Sequence, residues 1–427
     1  MTAHHLIALG LLLAILVPVL PDGVPSAAAA PSFPSRPIEQ LLNADCTLNL
    51  ATGWNGTLDA RGWQVTLDAE RGPLFQPAGN SPAKPADGTW SALGTGTDDW
   101  VSTIAVSGSD VYVGGAFHSA GGVANTTHIA KWNGGAWSAL GTGTDNWVIA
   151  IVVSGGDVYA GGYFTSASGV ANTKHVAKWN GSAWSALDTG TNDRVFSMAV
   201  SGSAVYVGGD FHSAGSVAAN HIARWNGSAW SALGAGTDGT VSAIAVSNND
   251  VYAGGDFHNA GGVEANHIAK WNGNTWSGLG TETTGEVFPI AASSSDVYVG
   301  GYFSSMGGVA ANNIAKWNGN AWSALGTGVD SSVFAIAISG NDIYVGGLFT
   351  SAGGGANTTH IAKWTGSAWS ALGSGTNDRV YAIAFSGSDL YAGGTFTNAG
   401  GVAANRIAKY VSGTSPNFRL YLPLILR

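Results

Sequence analysis

From residue 90 to residue 410 the chain alternates short apolar segments with stretches of Gly, Ser, Asn and Asp. The first cycle holds four such segments, at 90–93, 101–107, 110–115 and 128–132. Each has strand length, is rich in β-branched and aromatic residues, and stops at turn-forming residues. No window sustains an apolar period of 3.6 residues, so essentially no helix is predicted. In the second segment of each cycle, alternate positions split by size. Val101, Thr103 and Ala105 are small or modest, as are Val333, Ala335 and Ala337; the opposite positions hold Phe334, Ile336 and Ile338, or Tyr381, Ile383 and Phe385. A small face opposing a large face on the next unit fits wedges converging on an axis, where room is least. Pro289 falls in the same segment and predicts a sheet edge, because proline donates nothing to a ladder.

The cycle repeats. The string Trp-Ser-(Ala/Gly)-Leu starts at Trp90, Trp137, Trp184, Trp230, Trp276, Trp322 and Trp369, at intervals of 46 or 47 residues. A unit of that length cannot bury both of its faces, but units stacked radially bury one another and leave few open edges. The prediction is an all-β, seven-bladed β-propeller of four-stranded antiparallel blades. Tight turns are expected at Ser-Gly-Ser-Asp (107–110) and at the Asn-Gly pairs after Trp132 and its copies, with both Asn and Gly at positive φ. The series opens on a lone outer-strand segment, 90–93, and closes on 406–410, the copy of HIAKW. The last blade therefore lacks its outermost strand, and 90–93 is predicted to supply it, closing the ring.

Composition agrees with this and narrows the rest. Charged residues make up 10% of the chain and glycines number 64, while 45% of residues are hydrophobic, which supplies a core and leaves Gly to the turns. A net charge of −9 disfavours a nucleic-acid or anionic-membrane surface. The single cysteine, Cys46, allows no intrachain disulfide.

Residues 6–20 form an apolar run too short for a comfortable membrane span, followed by small residues at 26–30. This predicts a signal peptide over 1–29, hence a secreted, extracellular chain with no membrane span in its mature form. The alternative is an uncleaved N-terminal anchor. Residues 30–89 are Pro-rich around a small β-like unit containing CTLNL and WQVTL; 90–410 are the propeller; 411–427 are a linker and a short apolar tail, RLYLPLILR. That tail resembles the ends of many exported bacterial proteins and implies either a docked strand or attachment to the cell surface.

The repeats resemble kelch-type propellers, among them the central domain of galactose oxidase. The shared marks are the Gly doublet closing a Tyr-containing strand (Tyr112, Gly114, Gly115) and the Trp opening the outer strand (Trp137). The chain departs from kelch in placing Trp132, Trp179 and Trp225 where Tyr is usual. The resemblance implies a macromolecule-binding propeller more often than an enzyme. Galactose-oxidase chemistry would need a propeller Cys bonded to a Tyr, and Cys46 lies outside the repeats.

Two connections are long, 94–100 and 117–127, and meander topology puts both on one face. Loops on a rigid scaffold are where binding residues collect. The residue before each inner strand varies on a copied background: Trp100, Trp147, Arg194, Thr240, Glu286, Ser332 and Arg379. These are the candidate ring of binding residues at the channel mouth. The recurring acids Asp98, Asp99, Asp145, Asp193, Asp238, Asp330 and Asp378 are read as turn formers, since one acid per blade does not converge on a calcium ion. The histidines fall in two series, His118, His212 and His258, and His128, His175, His221, His267 and His360, read as hydrogen-bonding groups rather than metal ligands. The repeated Trp residues are read as packing between blades. No cofactor, metal or catalytic residue is predicted. The expected function is a monomeric, non-catalytic extracellular module that binds an unknown protein or glycan. The alternative is a secreted hydrolase or lyase at the channel mouth, using Arg194, Glu286 and Arg379.

Overall fold

The computed structural model describes residues 88–280 and 283–412, with the backbone of four short upstream strands. Two units form, 88–412 and the flanking residues on either side. In the flanking unit Trp63–Asp68 pairs antiparallel with Gly72–Pro77, and Ser35–Pro37 runs parallel to Thr57–Asp59. The apolar run 6–20, the CTLNL segment with Cys46, and the tail from 413 lie outside the described residues.

Residues 88–412 form seven four-stranded antiparallel sheets, the blades of a β-propeller, and the described residues contain no helix. Blade 1 runs Val101–Ser107, Asp110–Gly115, Ile129–Trp132 and Trp137–Ala139, each strand paired with the next. Blades 2 to 6 repeat this order. Blade 7 consists of Val380–Ser386, Asp389–Gly394 and Ile407–Val411, with Thr89–Ala92 paired outermost against Ile407–Val411.

The core lies between blades, and the Gly doublets make the close approach possible. A Cβ on Gly114 would lie 2.7 Å from Cγ1 of Val148 in blade 2, and one on Gly393 of blade 7 would lie 2.4 Å from Cγ1 of Val101 in blade 1. The second glycine meets a different constraint. A Cβ on Gly115 would lie 2.1 Å from the Trp100 carbonyl oxygen, which accepts the Ala116 N–H at 3.1 Å. At the rim, each outer Trp donates its Nε1–H to a Leu carbonyl of the preceding blade. Examples are Trp184 to Leu140 (2.8 Å), Trp137 to Leu93 (2.9 Å) and Trp90 to Leu372 (2.9 Å). All but Trp369 of these indoles are buried, so the bond settles their one polar atom.

Two local expectations are corrected. The innermost strand does not alternate simply: its register shifts between Val101 and Thr103 and at the same place in the other blades. The extra residue is a β-bulge, which resets the alternation beyond it. Thus Val380 and Ile383, three apart, both approach Gly346 of blade 6. In blade 5 the irregularity spans Phe288 and Pro289, so the proline costs the ladder no donor. The Asn-Gly turns also differ from the expected two-residue form. Trp132 pairs with Trp137 across a four-residue loop, and only Gly134 has positive φ (95°). Asn133 acts through its side chain instead: Oδ1 accepts the N–H groups of Gly135 (3.0 Å) and Ala136 (2.9 Å), an Asx turn.

Candidate functional site

The two long loops of each blade are stitched into one layer by their polar residues. Oδ1 of Asp98 accepts the N–H groups of His118 (2.9 Å) and Ser119 (3.0 Å). Asn192, Thr284 and Asn377 do the same work in blades 3, 5 and 7, which shows that an acceptor is needed there and a charge is not. Burial alone would raise the Asp145 pKa, but hydrogen bonds from Thr165 and Ser166 outweigh it and hold the carboxyl below its usual range. Asp238 and Asp330 are lowered by the same balance, with Asn259 and Thr350 leading the donors. A second acceptor, Oδ1 of Asp193 or Asp378, takes the N–H of Arg194 or Arg379 at 2.8 Å and so sets the backbone just before the inner strand.

Of the five histidines that precede the third strand, three join neighbouring blades, while His175 and His267 bond the Gly162 and Gly255 carbonyls of their own blades. Nδ1 of His128 lies 2.9 Å from the Thr144 carbonyl, and His221 and His360 make the same contact to Thr237 and Thr376. In blade 5, Asn313 takes this place, its Nδ2–H donating to Val329 at 2.8 Å. Burial lowers the His128 pKa; the bond to Thr144 pulls the other way and is outweighed. Among the described residues no group of three or more His, Cys, Asp or Glu side chains is placed to share a metal ion, and no helix is long and apolar enough to cross a membrane.

The candidate ring residues stand at the start of the inner strands, and the structure brings several together. Trp100 and Trp147 meet edge to face at 5.5 Å. Arg194 and Thr240 share Asp210, whose Oδ1 accepts the Thr240 hydroxyl at 2.6 Å and whose Oδ2 lies 3.9 Å from the Arg194 guanidinium. Glu286 and Ser332 line one shallow recess between blades 5 and 6, although Ser332 itself is only 9% exposed. Arg379 donates from Nη1 to the Tyr381 hydroxyl at 3.3 Å.

These residues belong to a larger feature. Rings follow one another around the mouth in the order Phe196, Tyr163, Trp147, Trp100, Tyr381, Phe334 and Phe288, with successive centroids 5.3–5.9 Å apart. Trp147 is 39% exposed, and the others are partly so. The Arg194 guanidinium lies 4.9 Å from the centre of the Tyr163 ring. The aromatic arc thus spans every blade but the fourth, where Arg194, Asp210 and Thr240 lead into the gap. Sequence reasoning found Trp100 and Trp147 but not Phe196, Phe288, Phe334 or Tyr381 as mouth residues. The signal was present: the position after each leading Val varies as freely (Ser102, Ile149, Phe196, Ser242, Phe288, Phe334, Tyr381). The unforeseen bulge is what turns that position toward the mouth.

The fold and this mouth define a seven-bladed β-propeller with an aromatic-rimmed opening. No family model and no curated protein matches the chain. Among solved structures, it is similar to the WD40 repeats of RRP9 (TM-score 0.51, 13% identity, covering 76% of this chain and 97% of that one). It is also similar to the WD40 β-propeller domain of Doa1 (TM-score 0.50, 13% identity, 77% and 98% covered). At that identity the likeness is one of fold.

Proposed function

We propose that the protein is a non-catalytic interaction module that works outside the cell and holds a protein or glycan on its long-loop face. One observation carries this reading: an arc of partly exposed aromatic rings at the channel mouth, built from positions that vary while the rest of each repeat is copied. Exposed rings on a rigid frame supply contact area at little conformational cost. The kelch-like marks in the repeats and the common use of propellers as interaction platforms support the same assignment. Export by a signal peptide over 1–29, with cell-surface attachment through RLYLPLILR, completes the proposal.

The test is a glycan array together with pull-downs from cell-surface extracts, using the full chain and its Trp147→Ala and Arg194→Ala variants. Binding weakened by about tenfold or more in either variant, ~1.4 kcal/mol, supports the module. No binding to any sugar or extract contradicts it. A hydrolytic or lyase turnover lost in Glu286→Gln would replace it with the enzymatic alternative.

A further inference from the structure

The charges of the propeller are sorted by end. Near the tight turns, Asp110, Asp157, Asp250, Asp296, Asp342 and Asp389 each pair with a lysine at 2.5–3.2 Å, from Lys131–Asp110 in blade 1 to Lys409–Asp389 in blade 7. Those pairs cancel. At the other end the long loops carry twelve described acids against Lys174, Arg194, Arg379 and Arg406. Several of these acids are held in their ionised form by loop hydrogen bonds, so the excess persists across the neutral range. The aromatic mouth therefore opens in a negative field, which draws cations and repels anions.

Within the mouth, two of the aromatic side chains already have an arginine as partner. Arg194 lies against Tyr163, and Arg379 bonds to Tyr381. The recess between blades 5 and 6 has the same materials and no such occupant. It is lined by Phe288, Phe334 and Tyr302, with Glu286 beside them. Phe288 and Phe334 stand 5.7 Å apart, and Tyr302 is 66% exposed, the most exposed large apolar side chain among the described residues. Glu286 is exposed, and among the described residues no Lys, Arg or His lies within ion-pair distance of it. Three ring surfaces and one free carboxylate are what a guanidinium or alkylammonium group needs: faces for cation–π attraction and a counter-charge for its hydrogen bonds.

We propose that this recess receives a lysine or arginine side chain from a basic segment of a protein partner. The inference deepens the binding-module reading and rests on it. A neutral glycan would gain from the rings but nothing from the charge field, so the charge sorting favours a basic protein segment.

The probe is a short end-blocked peptide alternating Gly and Arg, with a Gly–Ser peptide and a panel of neutral oligosaccharides as comparisons. Binding to the full chain is followed by calorimetry at low and high salt. The Gly–Arg peptide is expected to bind at least about tenfold tighter than the Gly–Ser peptide, and to weaken with salt. Glu286→Gln and Tyr302→Ser, both at exposed side chains, should each weaken it by about threefold or more. Glu264→Gln, the same charge change on a blade 4 hairpin, removes one charge from the field but none from the recess and should weaken it by clearly less than Glu286→Gln does. Equal binding of the two peptides overturns the proposal, as does an equal loss in Glu264→Gln and Glu286→Gln, which would mean diffuse attraction only. Oligosaccharide binding lost in Trp147→Ala, without Gly–Arg binding, would sink the proposal while leaving the binding module standing.

Discussion

A methyl group is enough to test the packing between blades. The Gly254 position has room for no Cβ: the added carbon would lie 2.5 Å from Val287 Cγ1 and 2.8 Å from Ile290 Cδ1 of the next blade. Overpacking of this kind costs about 1–3 kcal/mol, so Gly254→Ala should lower the chemical-denaturation midpoint. Gly135→Ala, whose nearest neighbour would be 3.9 Å away, should leave it almost unmoved. A second test concerns the rim. Trp184→Phe keeps an aromatic ring but removes the Nε1–H and strands the Leu140 carbonyl, a loss of about 1–2 kcal/mol by the same measurement. At this scale the sequence was informative wherever a residue type has one dominant use. Gly doublets, rim tryptophans and turn aspartates were all legible for that reason. The Lys–Asp pairs were not, because both members look like ordinary exposed residues until the register Tyr112↔Lys131 brings Lys131 beside Asp110.

Among the elements, the long loops carry the acid sensitivity. His128 is held neutral by burial, and its ring bonds the Thr144 carbonyl of the next blade. The acids around it, Asp98 and Asp145, and its neighbour His118 do not reverse that balance. Its folded pKa is therefore below the unfolded value of about 6.5, so the unfolded chain takes up the proton first. The stability this site contributes is present above about pH 6.5 and falls as the pH drops from there. The melting temperature should decline between about pH 7 and about pH 5, and His128→Asn, which copies the native Asn313 of blade 5, should flatten part of that slope. Asp145, with its lowered pKa, stays ionised throughout that window. Strand existence and order were readable from segment length and apolar content. The bulge was not, since no residue type marks it: the skipped position holds Ser102, Ile149, Phe196 and Ser242 alike. Missing the bulge meant missing four of the seven rings of the aromatic arc.

For the whole molecule, every functional statement depends on a mouth, and a mouth depends on blades 7 and 1 being neighbours. Gly393 faces Val101 and Ser386 Oγ–H donates to the Gly108 carbonyl at 2.8 Å, while within blade 7 Trp90 meets Tyr410 at a tilt with centroids 5.0 Å apart. The seven-fold repeat made the ring legible; the partner proposed for it was not, because copied residues report packing and the varied ones carry no pattern that names a ligand. Deleting 88–95 removes buried Trp90 and Leu93 and should lower the melting temperature by about 5–10 °C. The most direct measurement is hydrogen exchange of the backbone amides in Thr89–Ala92, which pair with Ile407–Val411. Protection matching that of Trp137–Ala139 and the other outermost strands is the predicted result. Rapid exchange there, with those strands protected, would contradict a closed ring.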